Sequence, residues 1–223
     1  MKSSKDVDDF HCFIKHQRDA TKNIDIVEVV LDRAGDLACF KAIRAILRRT
    51  KNITCLTLRF SFEPELCILP IGKTVVFKNL TTLNVNIPHA ALGHFLNPKH
   101  TQITDLAIGS CNAPTCPLAS CRLPHLQRLI CPPGCVQALT SADSPVMQLQ
   151  IIHDTAQDAS FPLPRLFDSR RIRTSSSLTV LHLDFDHTAT GLRGGLLQCI
   201  SEAAPVLDVL RLTESTFSDK VCQ

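Results

Sequence analysis

One spacing constrains this chain more than any other feature: apolar, two residues, apolar, one residue, apolar, recurring in order along the sequence. Its clearest copy is Leu178, Leu181 and Leu183. Successive side chains of a strand point to opposite faces, so Leu181 and Leu183 share one face while His182 and Asp184 share the other. The spacing recurs at Ile24, Val27 and Val29, at Ile53, Leu56 and Leu58, at Leu80, Leu83 and Val85, and at Ile103, Leu106 and Ile108. It continues at Leu126, Leu129 and Cys131 and at Val146, Leu149 and Ile151, and closes at Leu207, Leu210 and Leu212. The middle anchors lie 29, 27, 23, 23, 20, 32 and 29 residues apart. One match to so loose a template means little. A run of eight at these intervals points to a stacked repeat.

Helical material falls between the strands. Leu37, Ala38, Ile43, Ala45, Ile46 and Leu47 predict an amphipathic helix, and Ala90 to Leu96 another, stopped by Asn97 and Pro98. Val136 to Leu139 reads as a single turn, and Leu192 to Ala204 as a helix ending at Pro205. Pro114, Pro117 and Pro124 predict an irregular or 3₁₀ connector. The 32-residue interval, with Pro162 and Pro164, reads as a loop and a short basic helix from Arg165 to Thr174. Residues 1–22 carry Phe10, Phe13 and Ile14 at helical spacing and predict a short capping helix. One strand and one helix cannot bury a leucine face alone, but stacked copies join those faces into a continuous core.

The fourth copy extends from Ile103, Leu106 and Ile108 to Cys111 and Asn112. It is similar to the leucine-rich repeat consensus, with Cys111 where a side chain bonds the turning backbone. Ser61, Pro88, Gly134, Asp154, Asp186 and Ser215 hold that place in other copies and depart from it. Over about residues 24 to 215 the chain resembles the divergent leucine-rich repeat proteins of mushroom-forming basidiomycete fungi, often coupled to F-boxes. The resemblance implies an α/β fold: a leucine-rich-repeat-like solenoid of about eight irregular strand–helix or strand–loop units with a curved parallel sheet. Residues 1–22 would be the cap segment and 23–223 a single repeat domain. It also implies a non-enzymatic protein-interaction module, related to substrate recognition in ubiquitin-ligase complexes. The N-terminal segment has neither the length nor the leucine-proline start of an F-box. Thr213 to Gln223 are short and polar for a terminal cap, so another expectation is an incomplete piece of a larger F-box protein, truncated at its C-terminal end.

Composition narrows the remaining classes. A net charge of +3 from 24 basic and 21 acidic residues, with one basic cluster from Lys41 to Lys51, predicts a solvated helix face and no nucleic-acid partner. Trp and Tyr are absent, so stacking platforms for bases or sugars are hard to build. No apolar run approaches the roughly 18 residues of a membrane span, and acidic Asp6, Asp8 and Asp9 stand where a secretory signal would be apolar. The expectation is an intracellular protein, cytoplasmic or nuclear, without a membrane partner. Its eleven cysteines would then be reduced, and the sequons at Asn52 and Asn79 carry no weight.

Two constellations could carry chemistry. His182, Asp184, Asp186 and His187 place oxygen and nitrogen ligands on one strand face, so a metal-dependent enzyme centred on His182, Asp184 and His187 is the alternative reading. Their placement where a repeat strand needs only solvent-facing residues favours a plain surface. Cys111, Cys116 and Cys121, with Cys131 and Cys135 beyond, invite zinc, but the spacings are wider than the usual knuckles. Core and turn cysteines are the expectation, with no cofactor or metal; zinc at these cysteines stays open. There is no Gly-x-Ser-x-Gly nucleophile turn, and Gly191, Gly194 and Gly195 lack the ending of a phosphate loop and read as a helix start. No enzyme is expected. What remains is the strand face turned away from the core, with Glu28, Thr57, Ala107 and Thr213 among its residues. Its partner-binding candidates, on the concave side of such a solenoid, are Arg59, Asn84, Asn86, Gln150, His182, Asp184 and Arg211. The implied partner is a protein of unknown identity.

Overall fold

The structure, a computed structural model, describes residues 1–17, 19–32, 37–61, 75–97, 99–111, 113, 115–140, 145–152, 177–186 and 196–215, without the side chains of 185, 186, 214 and 215. The basic helix expected at Arg165 to Thr174, with Pro162 and Pro164, lies outside these residues. So do Pro98, Asn112, Pro114, Asp154, His187, Leu192 and the three glycines at 191, 194 and 195.

The fold is α/β with parallel strands, in two compact units. The first comprises Met1–Gly109 with Ser120–Leu123; the second comprises Ser110–Ala119 and Pro124–Gln223. In the first, β1 (Ile26–Leu31), β2 (Cys55–Phe60), β3 (Thr82–Val85) and β4 (Asp105–Ile108) lie side by side in chain order. Their register aligns Val27, Leu56, Leu83 and Leu106 across the ladder. In the second, β5 (Arg128–Cys131), β6 (Gln148–Ile152), β7 (Val180–Asp186) and β8 (Val209–Ser215) align Leu129, Leu149, Leu181 and Leu210 in the same way. The middle anchors of the sequence spacing are therefore direct partners within each ladder.

Burial follows the spacing except at Ile24 and in the last copy, where Leu207 and Leu210 are half-buried and Leu212 is 49% exposed. Leu56, Leu83, Leu129 and Leu181 are fully buried, and so are the preceding anchors Ile53, Leu80, Ile103, Leu126 and Val146. Thr57, Asn84, Gln150 and His182, which alternate with them, are only half-buried. Parallel sheets usually bury both faces and read as unbroken apolar runs. Here one face is left to polar side chains, which is why the strands alternate.

Each strand start is tied to the one before by a repeated device. The carbonyl of Asp25 accepts from the N–H groups of Thr54 and Cys55, that of Thr54 from Thr81 and Thr82, and that of Thr81 from Thr104 and Asp105. The hydroxyls of Thr54, Thr81 and Thr104 donate to the same carbonyls at 3.2–3.3 Å. In the second unit the Met147 carbonyl accepts from the N–H groups of Thr179 and Val180 and from the Thr179 hydroxyl. Threonine suits this position because its hydroxyl can reach a neighbouring carbonyl and its branched Cβ favours extended backbone.

The helices α1 (Ser4–His16), α2 (Leu37–Arg49), α3 (His89–Leu96), α4 (Pro133–Leu139) and α5 (Leu196–Ala203) fill parts of the connections. At α1, the Ser3 hydroxyl accepts from Asp6 N–H and the Asp6 carboxylate accepts from Ser3 N–H, a capping box. Its inward face is Val7 and Ile14. Phe13 is 45% exposed and stacks on Phe10 instead of entering the core. The chain before α1 lies along β1: the Met1 ammonium donates to Glu28 O, and Val30 N–H donates to Met1 O. These bonds satisfy edge groups that would otherwise stay open.

Helix α2 packs on α1 and sends Phe40 against Phe60 of β2, with ring centroids 5.6 Å apart. It buries Cys39, Phe40, Ile43, Ile46 and Leu47; Leu37 and Ala38, expected inside, are exposed at its first turn. Lys41, Arg48, Arg49 and Lys51 lie on the wet side, as their spacing predicts. Helix α3 ends at Leu96, where the proline signal put it. The proline-rich connector contains a 3₁₀ turn at Pro117–Ser120, and α4 is longer than a single turn because Pro133 starts it at a position where no N–H is missed. No helix among the described residues is long and apolar enough to cross a membrane.

Candidate functional site

The outward strand faces hold the sequence-derived candidates, and hydrogen bonding divides them. In the first unit Glu28, Thr57, Asn84 and Ala107 form one row across β1 to β4. In the second unit Gln150, His182 and Arg211 form a row, followed by Ile152, Asp184 and Thr213. The side chains of Arg59, Asn84, Gln150 and Arg211 hold no hydrogen bond or ion pair with other described residues. They are polar groups on a solvent-facing surface with no internal duty. His182 differs: its Nε2 lies 2.7 Å from the Thr213 hydroxyl.

Asn86 also differs. Its Oδ1 accepts from Phe60 N–H at 2.8 Å, and its Nδ2 donates to Phe60 O. The side-chain amide thereby extends the β2–β3 ladder by one step, with side-chain atoms in place of backbone. Gly109 sits against it: a Cβ there would lie 2.8 Å from Asn86 Cβ and 3.0 Å from Asn86 Cα. Glycine is required by proximity. Asn86 is thus a fastening of the fold as well as a residue of the outward face.

Two buried histidines of the first unit escaped the sequence reading. His89 opens α3 at 4% exposure, with Nε2 3.2 Å from Gly109 O. A carbonyl can only accept, so this nitrogen carries the proton. His100 is fully buried; its Nε2 accepts from Phe77 N–H at 3.1 Å and its Nδ1 donates to Phe95 O at 2.7 Å. The ring stacks on Phe95 with centroids 4.1 Å apart. Burial holds its pKa below the ordinary histidine value, with Lys99 acting in the same sense and the Phe95 carbonyl opposing. His89 stands between Pro88 and Ala90, an apolar setting that hints at burial, whereas His100 stands between polar Lys99 and Thr101 and carries no such signal.

The cysteines regroup. In the second unit the Sγ atoms of Cys111, Cys116 and Cys135 lie within 4.8 Å of one another. Cys135 is fully buried, Cys116 is 8% exposed and Cys111 is half-buried. Cys121, grouped with them by sequence, belongs to the first unit and points its thiol at Gly93 O, 3.9 Å away. Cys131, also in the sequence group, is a fully buried residue of β5. The convergence needs the connector to bring Cys111 and Cys116 to the first turn of α4, where Pro132 O accepts from Cys135 N–H. A hydrogen bond with Cys116, followed by burial, pushes the Cys135 thiol far above the ordinary cysteine range. Burial likewise raises Cys111, against an opposing bond from Ala113 N–H. Thiols so strongly protonated are poor nucleophiles.

Of the alternative metal grouping, His182 and Asp184 lie on the outward face of β7, and His187 lies outside the described residues. Compared with protein-family models, curated proteins and solved structures, the chain matches none.

Proposed function

We propose that the chain is a non-enzymatic protein-interaction module of leucine-rich-repeat type, a solenoid whose recognition surface is the outward strand face. The observation that carries the reading is the set Arg59, Asn84, Gln150 and Arg211, polar side chains aligned on strand faces without a partner among the described residues. In-register stacking of the leucine anchors supports the repeat, because identical spacing in sequence becomes identical height in the sheet. Mixed charge, amide and small apolar groups suit a protein surface. Substrate recognition in ubiquitin-ligase complexes is the setting that the leucine-rich-repeat resemblance suggests.

The test is affinity capture from the native cell with the wild-type chain and an Arg59→Glu/Arg211→Glu variant of unchanged circular dichroism and melting. Loss of the specific partner set, with ubiquitin-ligase adaptors in the wild-type capture, is expected. An identical partner set in the variant removes the strand face from consideration. Absence of adaptors removes the ligase setting.

A further inference from the structure

We propose that Cys111, Cys116 and Cys135 bind a zinc ion as three thiolates, fastening the 110–119 connector to the start of α4. The inference rests on geometry within the second unit and is independent of the partner-binding reading. In a tetrahedral zinc site with Zn–S near 2.3 Å, neighbouring sulfurs stand about 3.8 Å apart. The three Sγ atoms already lie within 4.8 Å of one another, so side-chain adjustments of about 1 Å or less complete three corners of the tetrahedron. Ordinary core cysteines pack against carbon; here three converge on one another from two chain segments.

The surroundings fit an ion held for structure. Cys135 and Cys116 are buried and Cys111 is half-buried, so the cluster is largely shielded from solvent. From Pro117 this connector forms only a 3₁₀ turn and no regular helix of its own, so a fastening contact would fix its position. Binding replaces three S–H bonds by three S–Zn bonds and releases three protons to water, with no change in oxidation state. Affinity therefore falls as pH is lowered. The fourth position is taken by one further donor, a side chain or water.

The experiment uses the full chain, purified reduced, stripped of metal with a chelator and titrated anaerobically with Co²⁺ and then Zn²⁺. Expected are tetrahedral cobalt d–d bands with thiolate charge transfer, saturating at one equivalent and displaced by zinc. X-ray absorption of the zinc form should show at least three sulfurs, and zinc should raise the melting temperature. Cys111→Ser and Cys116→Ser lose the charge-transfer band, whereas Cys121→Ser keeps it. Cys135→Ser removes a fully buried thiol and so tests folding along with binding; half-buried Cys111 is the deciding position. No charge transfer in wild type, fewer than three sulfurs, or a full-strength band in folded Cys111→Ser overturns the proposal. So does a Cys111–Cys116 disulfide in freshly isolated protein that takes up no metal after reduction.

Discussion

Replacing Asn86 by alanine is expected to lower the stability of the fold, whatever it does to partner capture. The side chain makes two hydrogen bonds to the Phe60 backbone, one to its N–H and one to its carbonyl, in a partly buried setting. Each such bond contributes about 1 kcal/mol net, and Phe60 is itself buried, so the loss is about 2 kcal/mol or more. For a chain of this size that lowers the melting temperature by roughly 4–8 °C. Asn86→Asp separates the two bonds: it keeps an acceptor for Phe60 N–H but sets a carboxylate oxygen against Phe60 O. At neutral pH it should be at least as damaging as alanine. Thermal and urea unfolding followed by circular dichroism give both numbers. An alanine variant melting with wild type, or an aspartate variant of full stability, would refute the assignment of Asn86 to the fold.

Three further outcomes follow from single positions. Gly109→Ala places a methyl 2.8 Å from Asn86 Cβ and 3.0 Å from its Cα, and should cost about 1–3 kcal/mol by overpacking in urea unfolding; an unchanged midpoint would mean the strands can part freely. His100 has a folded pKa below its unfolded value near 6.5, so its contribution is fully present above that pH and is lost as pH falls toward the folded pKa, because the unfolded chain takes the proton first. Melting temperature should therefore drop below about pH 6.5, more steeply in wild type than in His100→Gln, and equal slopes would discount the histidine. Leu83→Ala, at a fully buried anchor, should cost about 2–5 kcal/mol, whereas Leu212→Ala, at 49% exposure, should change stability by less than about 0.5 kcal/mol; equal costs in urea unfolding would contradict the register.

Some of this architecture was legible in the chain because it depends on period alone. Leucines at fixed spacing choose a face, and a face shared by successive copies chooses the register, so Val27, Leu56, Leu83 and Leu106 could be aligned before any strand was seen. Proline signals act locally too, which is why the end of α3 and the 3₁₀ connector were readable. Alternation also assigned the outward residues, since side-chain direction in a strand is a matter of parity.

What parity cannot say is which outward or polar group is already engaged. Asn86 and Asn84 are equivalent by alternation, yet only Asn86 stands one step past β3, opposite the open backbone of Phe60. Phe13 and Ile14 look equally apolar, and the packing of α1 against α2 alone leaves one outside. The cysteines show the same limit most sharply. Their sequence spacing grouped Cys121 with Cys111 and Cys116, but a thiol cluster is a matter of distances that the folded connector sets. Folding carried Cys121 to Gly93 and brought Cys135 in from α4. The period of the chain was enough to determine the ladder and its face; the convergence of three thiols was decided only when distant segments were packed.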